Sequence, residues 1–148
     1  MIPLRRLLIS LALGWLVLVA APVPARASLL HLVGPVPEDL GVRGGSLAPC
    51  PGPAHCARAT WSSADPAADL GRLAEAAAAL EGTSIVERTP TYLHATATSR
   101  LFGFVDDLEL YADAAAGQIQ ARSVSRLGDS DLGVNAHRLE ELRLALRD

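Results

Sequence analysis

Phe104-Val-Asp-Asp-Leu-Glu-Leu-Tyr111 and Gln118-Ile-Gln-Ala-Arg-Ser-Val-Ser-Arg126 are two alternating apolar and polar runs joined by the loop Asp113 to Gly117. Period-two alternation on both sides of a short glycine-containing loop predicts an antiparallel hairpin, because successive strand residues point to opposite faces. Setting Ala112 against Gln118 places Leu108 opposite Arg122 and Asp106 opposite Val124. Phe104, Asp106, Leu108 and Leu110 then share a face with Gln120, Arg122, Val124 and Arg126, and Asp106 lies diagonal to both arginines. A slip of one residue substitutes Asp107. Either way a carboxylate meets a guanidinium. One reading is a structural ion pair that holds register; the other is that Arg122, Arg126 and Arg138 converge on an anion or a partner's carboxylate, oriented by Asp106 or Asp107. Ser123 and Ser125 fall on the opposite face in this register.

Downstream, Gly128 to Asn135 forms a polar turn into a helix, with Asn135 as the expected N-cap, Val134 and Leu139 as a hydrophobic staple, and Leu139, Leu142 and Leu146 as the buried stripe. Counted as a calcium loop, Asp129, Asp131 and Glu140 occupy the first, third and twelfth positions. Gly133 and Val134 fill the fifth and sixth, where a ligand and a glycine are needed, so capping is the preferred reading. Upstream, Ser84 to Thr89 and Thr91 to Thr98 read as strands broken at Pro90, which cannot donate to a ladder. Tyr92, His94, Thr96 and Thr98 share one face of the second, opposite Leu93, Ala95 and Ala97. His94 and Tyr92 join the candidate site, although a histidine among threonines is more often a half-exposed sheet residue. A Ser-His-Asp hydrolase built on His94 and one of the strand serines lacks the Gly-x-Ser-x-Gly turn that presents a nucleophile. Before these strands, Asp65 as N-cap and Pro66 at the first helical position open a helix; Leu70, Leu73, Ala77 and Leu80 form its apolar stripe, and Gly82 ends it.

The N-terminus has the three parts of a secretory signal peptide. Arg5-Arg6 is the basic region, Leu7 to Ala21 the apolar run, and Ala25-Arg26-Ala27 the small-x-small site, so cleavage is expected before Ser28. Pro22 and Pro24 stop the run short of the roughly 20 residues a spanning helix needs, and no stable membrane insertion is expected after cleavage. The remaining 121 residues suit one domain. Without the three leader arginines, ten arginines and no lysine face sixteen acidic residues, a formal charge of −6 that argues against nucleic acid as a partner. Ser28 to Ser46 carries four glycines and two prolines and reads as an extended arm, packed or mobile. In Pro49-Cys50-Pro51-Gly-Pro53-Ala-His55-Cys56, two cysteines and no third in an exported chain point to one disulfide. A redox pair, or metal ligation with His55, remains the alternative; the first more typically shows Cys-x-x-Cys and the second needs further close ligands.

Phe104-Val-Asp-Asp107, then Arg122-Ser-Val-Ser-Arg-Leu-Gly128, then Ser130-Asp-Leu-Gly-Val-Asn-Ala-His-Arg138 occur in that order. Together they resemble the pattern of the bacterial and plastid family called domain of unknown function number 1499. Pro49-Cys-Pro51 with Cys56, and Tyr92-Leu-His-Ala95, resemble it too. The resemblance implies an exported protein of the periplasm or, in a photosynthetic bacterium, the thylakoid lumen; the family brings no assigned biochemistry. The expected architecture is α+β: a signal peptide at 1–27, an arm at 28–46, and a single domain at 47–148 with an antiparallel meander of about four strands covered on one face by two helices. So few strands leave the second face wet or against a partner. No nucleotide loop, haem site or zinc motif is recognisable, so no cofactor and no metal is expected. The expected role is a non-catalytic binding or assembly factor with a protein partner or a small anion; the alternative is a small-anion-binding domain or enzyme using the arginine and aspartate cluster.

Overall fold

The structure, a computed structural model, describes residues 30–147. The expected signal peptide and its expected cleavage point lie outside the described residues. In chain order the elements are β1 (Val42–Arg43), β2 (Ser46–Leu47), β3 (Cys56–Ser62), α1 (Pro66–Ala79), β4 (Thr83–Arg88), β5 (Tyr92–Thr98), β6 (Val105–Asp113), β7 (Gln118–Ser125) and α2 (Val134–Leu144). β1 and β2 make a two-stranded ribbon. The main sheet has the order β3-β7-β6-β5-β4, antiparallel throughout. β4 to β7 form the expected meander, so the fold is α+β with an antiparallel sheet, but the sheet has five strands rather than about four.

The extra strand is β3. Ala57, Ala59 and Trp61 face the core while Arg58 and Thr60 face away. The alternation is present in Ala-Arg-Ala-Thr-Trp, but alanine gives it little hydrophobic contrast, and the cysteine turn before it reads as irregular. α1 then carries the chain from β3 at one edge of the sheet to β4 at the other. Its N-cap is Asp65, whose side chain accepts from Ala68 N at 3.0 Å, with Pro66 in the first turn. Leu70, Leu73, Ala74 and Ala77 are its buried face. Gly82 follows the helix with φ +71°, and a Cβ there would lie 2.3 Å from the Thr98 carbonyl oxygen, so only glycine lets the turn approach β5. Both helices pack on the sheet face formed by Leu93, Ala95, Leu108, Leu110, Ala112, Ile119 and Ala121.

That core decides the register. Leu108 is opposite Ser123, Leu110 opposite Ala121, Ala112 opposite Ile119, and Asp113 closes the hairpin against Gln118. The expected pairing is therefore corrected by one residue. It would have set Leu108 and Leu110 on the same face as Arg122 and Gln120, whereas the observed register gathers the apolar side chains under the helices. Asp113 holds the tighter turn, accepting from Ala116 N at 3.1 Å and Gln118 Nε2 at 3.2 Å.

The second sheet face is not wet. The arm crosses it: Gly41 N donates to Glu109 Oε1 at 2.7 Å, Asp39 pairs with Arg122, and Leu47 N donates to Gln120 Oε1 at 3.1 Å. The Cys50–Cys56 disulfide, with Cα atoms 5.6 Å apart, ties the end of the arm to the start of β3.

Candidate functional site

The corrected register lays a row of ionisable residues across the whole sheet on its arm side: Glu87, His94, Glu109, Arg122 and Arg58, each opposite the next. Glu87 and Arg58 at its ends are exposed, but His94, Glu109 and Arg122 are buried and need partners. Arg122, 1% exposed, donates Nη1 to Glu109 Oε2 at 2.9 Å and meets Asp39 of the arm end-on, Nη1–Oδ1 at 3.3 Å and Nη2–Oδ2 at 2.8 Å. Glu109 also accepts from the Tyr92 hydroxyl at 2.8 Å. Burial, then this bond to Glu109, pushes the Tyr92 phenol well above its ordinary range. Gln120 anchors the ribbon, accepting from Ser46 Oγ and Leu47 N and donating to Gly45 O.

One row along, Asp107 is wholly buried beneath Arg126. The guanidinium grips it with two bonds, Nε–Oδ2 and Nη2–Oδ1, both 2.8 Å, and His94 Nε2 lies 2.8 Å from Oδ1. Burial alone would raise the Asp107 carboxyl, but the bonds from Arg126 and His94 hold it below its ordinary value, and the same contact raises Arg126. Nδ1 of His94 makes no hydrogen bond among the described residues, and His94 lines an adjoining cleft.

Asp106 and Arg138 are on the other face. Asp106 points under the helices, where Arg138 Nη2 donates to it at 2.8 Å. Arg138 Nη1 reaches Ser123 Oγ and Asn135 Oδ1, both at 2.7 Å. Asn135 also bonds Ser125 Oγ, Asp131 Oδ2 and His55 O. The candidate residues therefore divide: Tyr92, His94, Asp107, Arg122 and Arg126 lie on the arm side, Asp106 and Arg138 on the helix side. Ser123 and Ser125 are separated from His94 by the sheet, so no Ser-His pair forms.

Asn135 is not the N-cap of α2. It is fully buried inside the first turn, the cap position is Gly133, and Val134 is half-exposed rather than a staple. Capping falls to Asp131, which accepts from Gly133 N at 2.8 Å and Asn135 N at 3.2 Å. Burial would raise the Asp131 carboxyl, but those donors and the Asn135 amide hold it low. Sequence reasoning missed Glu109 and Asp39. Glu109 shares strand parity with Asp107 and stands opposite Arg122 once the register is right; Asp39, in a Gly- and Pro-rich arm, carries no signal.

Two depressions flank the arm. A cleft of about 620 Å³ lies toward β4 and β5, with Val36, Leu40 and Val42 on the arm side and Glu87, Tyr92 and Tyr111 among the sheet residues. A second, of about 340 Å³, lies between Pro35–Asp39 of the arm, Arg122 and Arg126 of the sheet side, and Pro51 and His55 of the cysteine loop. No group of three or more His, Cys, Asp or Glu is placed to hold a metal among the described residues.

The family described as protein of unknown function (DUF1499) matches residues 46–146, taking in the sheet, both helices and both polar clusters. The chain belongs to this family. No curated protein and no solved structure matches the chain. In this DUF1499 chain no described helix is long and apolar enough to cross a membrane, and the disulfide is consistent with an oxidising compartment. The matched region begins at Ser46, so Asp39 and Gly41, which complete the arm-side network, fall outside it.

Proposed function

We propose that this DUF1499 protein is an exported, non-catalytic binding or assembly factor of the periplasm or thylakoid lumen, engaging a protein partner along the cleft between its arm and β4–β5. The observation that supports this best is the pairing of the cluster: Arg122, Arg126 and Arg138 each face carboxylates of the same chain. Charges so arranged fix the arm, the sheet and α2 to one another, as buried ion pairs do when they specify a single arrangement. The cleft beside them combines apolar arm residues with two tyrosines, the mixture that protein-binding surfaces favour. β4 borders it as an edge strand, with Ile85 and Val86 exposed, and an edge strand can accept an added strand from a partner. The basic, apolar and small-residue sections of the N-terminus support export, and the disulfide agrees with it.

A photoreactive amino acid at Val86 or Val42, compared with Leu144 on α2, tests this in the producing cell. The expected outcome is a discrete adduct from the first two positions and none from the third, on protein whose intact mass begins at or near Ser28. Adducts equally frequent at all three positions, or protein retaining residues 1–21 in the membrane fraction, would overturn the reading.

A further inference from the structure

The smaller depression, on the other side of the arm, has a property the partner cleft lacks. Arg122 lines it, and the Nε of Arg122 is buried without a hydrogen-bond partner. A buried donor left unmade costs free energy, so it marks a place where an acceptor would bind well. Both terminal nitrogens are engaged end-on by Asp39, and Glu109 takes a second bond from Nη1. The side-on edge, formed by Nε and Nη2, is the second of the two geometries in which a guanidinium holds a carboxylate. Along the same face, Nη1 of Arg126 has no hydrogen-bond partner among the described residues.

Charge decides how an anion would enter. Asp39, Glu38, Glu109 and Asp107 surround the two guanidiniums, so an added anion would meet more negative than positive charge. A substitution avoids this. Asp39 has a side chain 41% exposed and, among the described residues, bonds only to Arg122, whereas Glu109 and Asp107 are wholly buried and held by several donors. Replacing the Asp39 carboxylate with another leaves the charge at Arg122 unchanged and lets the newcomer use Nε.

We propose that Arg122 is the recognition residue of a carboxylate-binding site that Asp39 occupies as an internal stand-in, and that a carboxylate from outside binds by displacing Asp39. The ligand class is a carboxylate, carried either by a free small acid or by the end of a polypeptide. Phosphate monoesters are a poorer fit, because their second negative charge would face Glu109 and Glu38.

Side-chain NMR of purified protein at constant ionic strength tests the site. Titration with acetate is expected to move the Arg122 Nε–H resonance saturably, while neutral acetamide leaves it in place. In Asp39→Asn the stand-in charge is gone. If Asp39 occupies Arg122 about nine-tenths of the time, acetate should bind about tenfold more tightly to the variant. Acetylated diglycine offers the same group on a peptide end; tighter binding than acetate assigns the site to a chain end, and weaker binding to a free small acid. Equal acetate affinity in wild type and Asp39→Asn, or an equal response to acetamide, would overturn the proposal. Should Asp39→Asn fail to fold, the wild-type titration decides alone: an Arg122 Nε–H resonance unmoved by acetate is sufficient to reject the site. No part of this test depends on the partner cleft.

Discussion

Asp107 is the residue on which the arm-side network turns, since Arg126 and His94 both bond to it and it has no access to water. Removing one member of a buried pair strands the other, and the loss is about 3 to 5 kcal/mol. Asp107→Asn and Arg126→Gln are each expected to lower unfolding free energy by that order in urea titrations. The double variant should be less than additive, because the same contact is lost once. The dependence on pH has a definite sign. A carboxyl whose folded pKa lies below its unfolded value near about 4 contributes stability that is complete above that value and is lost as pH falls through the folded pKa. Wild type should therefore lose more stability than Asp107→Asn on acidification from roughly pH 6 to pH 2. A parallel fall in the two proteins would show that the Asp107 pair contributes nothing to acid sensitivity. That an aspartate of this hairpin would meet an arginine was legible in the residues. Which aspartate was not, because Asp106 and Asp107 are adjacent, and a one-residue slip exchanges the faces they occupy.

At the scale of elements, α2 shows why a capping pattern can mislead. Asn135 has the residue type and the position of an N-cap, yet its side chain points into the sheet, where it accepts from Ser123 Oγ at 2.6 Å and donates to Ser125 Oγ at 2.9 Å. A local pattern cannot reveal that two strand serines and Arg138 converge on the same amide. Asn135→Ala should cost about 2 to 3 kcal/mol, since it strands several buried polar groups, whereas Val134→Ala on the exposed side of the turn should stay within about 0.5 kcal/mol. Denaturation midpoints of the two variants check this, and equal midpoints would return Asn135 to a minor capping role. α1, β4 and β5 were readable almost to their ends because leucine, proline and glycine mark them strongly. β3 was not, because alanine alternating with arginine and threonine leaves a faint period-two signal and the strand's partner is remote in the chain.

For the whole molecule, the arm is a layer whose packing the sequence left open. A Gly- and Pro-rich composition fits a packed or a mobile arm equally, and here the N–H of Gly41 and, just past the arm, that of Leu47 complete the coordination of Glu109 and Gln120. Deleting residues 30–41 should lower stability by about 2 kcal/mol, less than Asp107→Asn, because Asp39 is partly solvated and water can replace it. Calorimetry of the shortened protein checks the figure, and an unchanged melting temperature would mean that the arm lies outside the cooperative unit. The sheet order carries a further consequence, about time. β3 has β7 as its one neighbour in the sheet, with Cys56 opposite Val124, and the arm's anchors stand on β6 and β7. Synthesis proceeds from the N-terminus, so the first third of the described chain is made before the strands it will rest on exist. It must wait, joined at most by its own disulfide and the small β1–β2 ribbon, until the hairpin of β6 and β7 arrives to receive it.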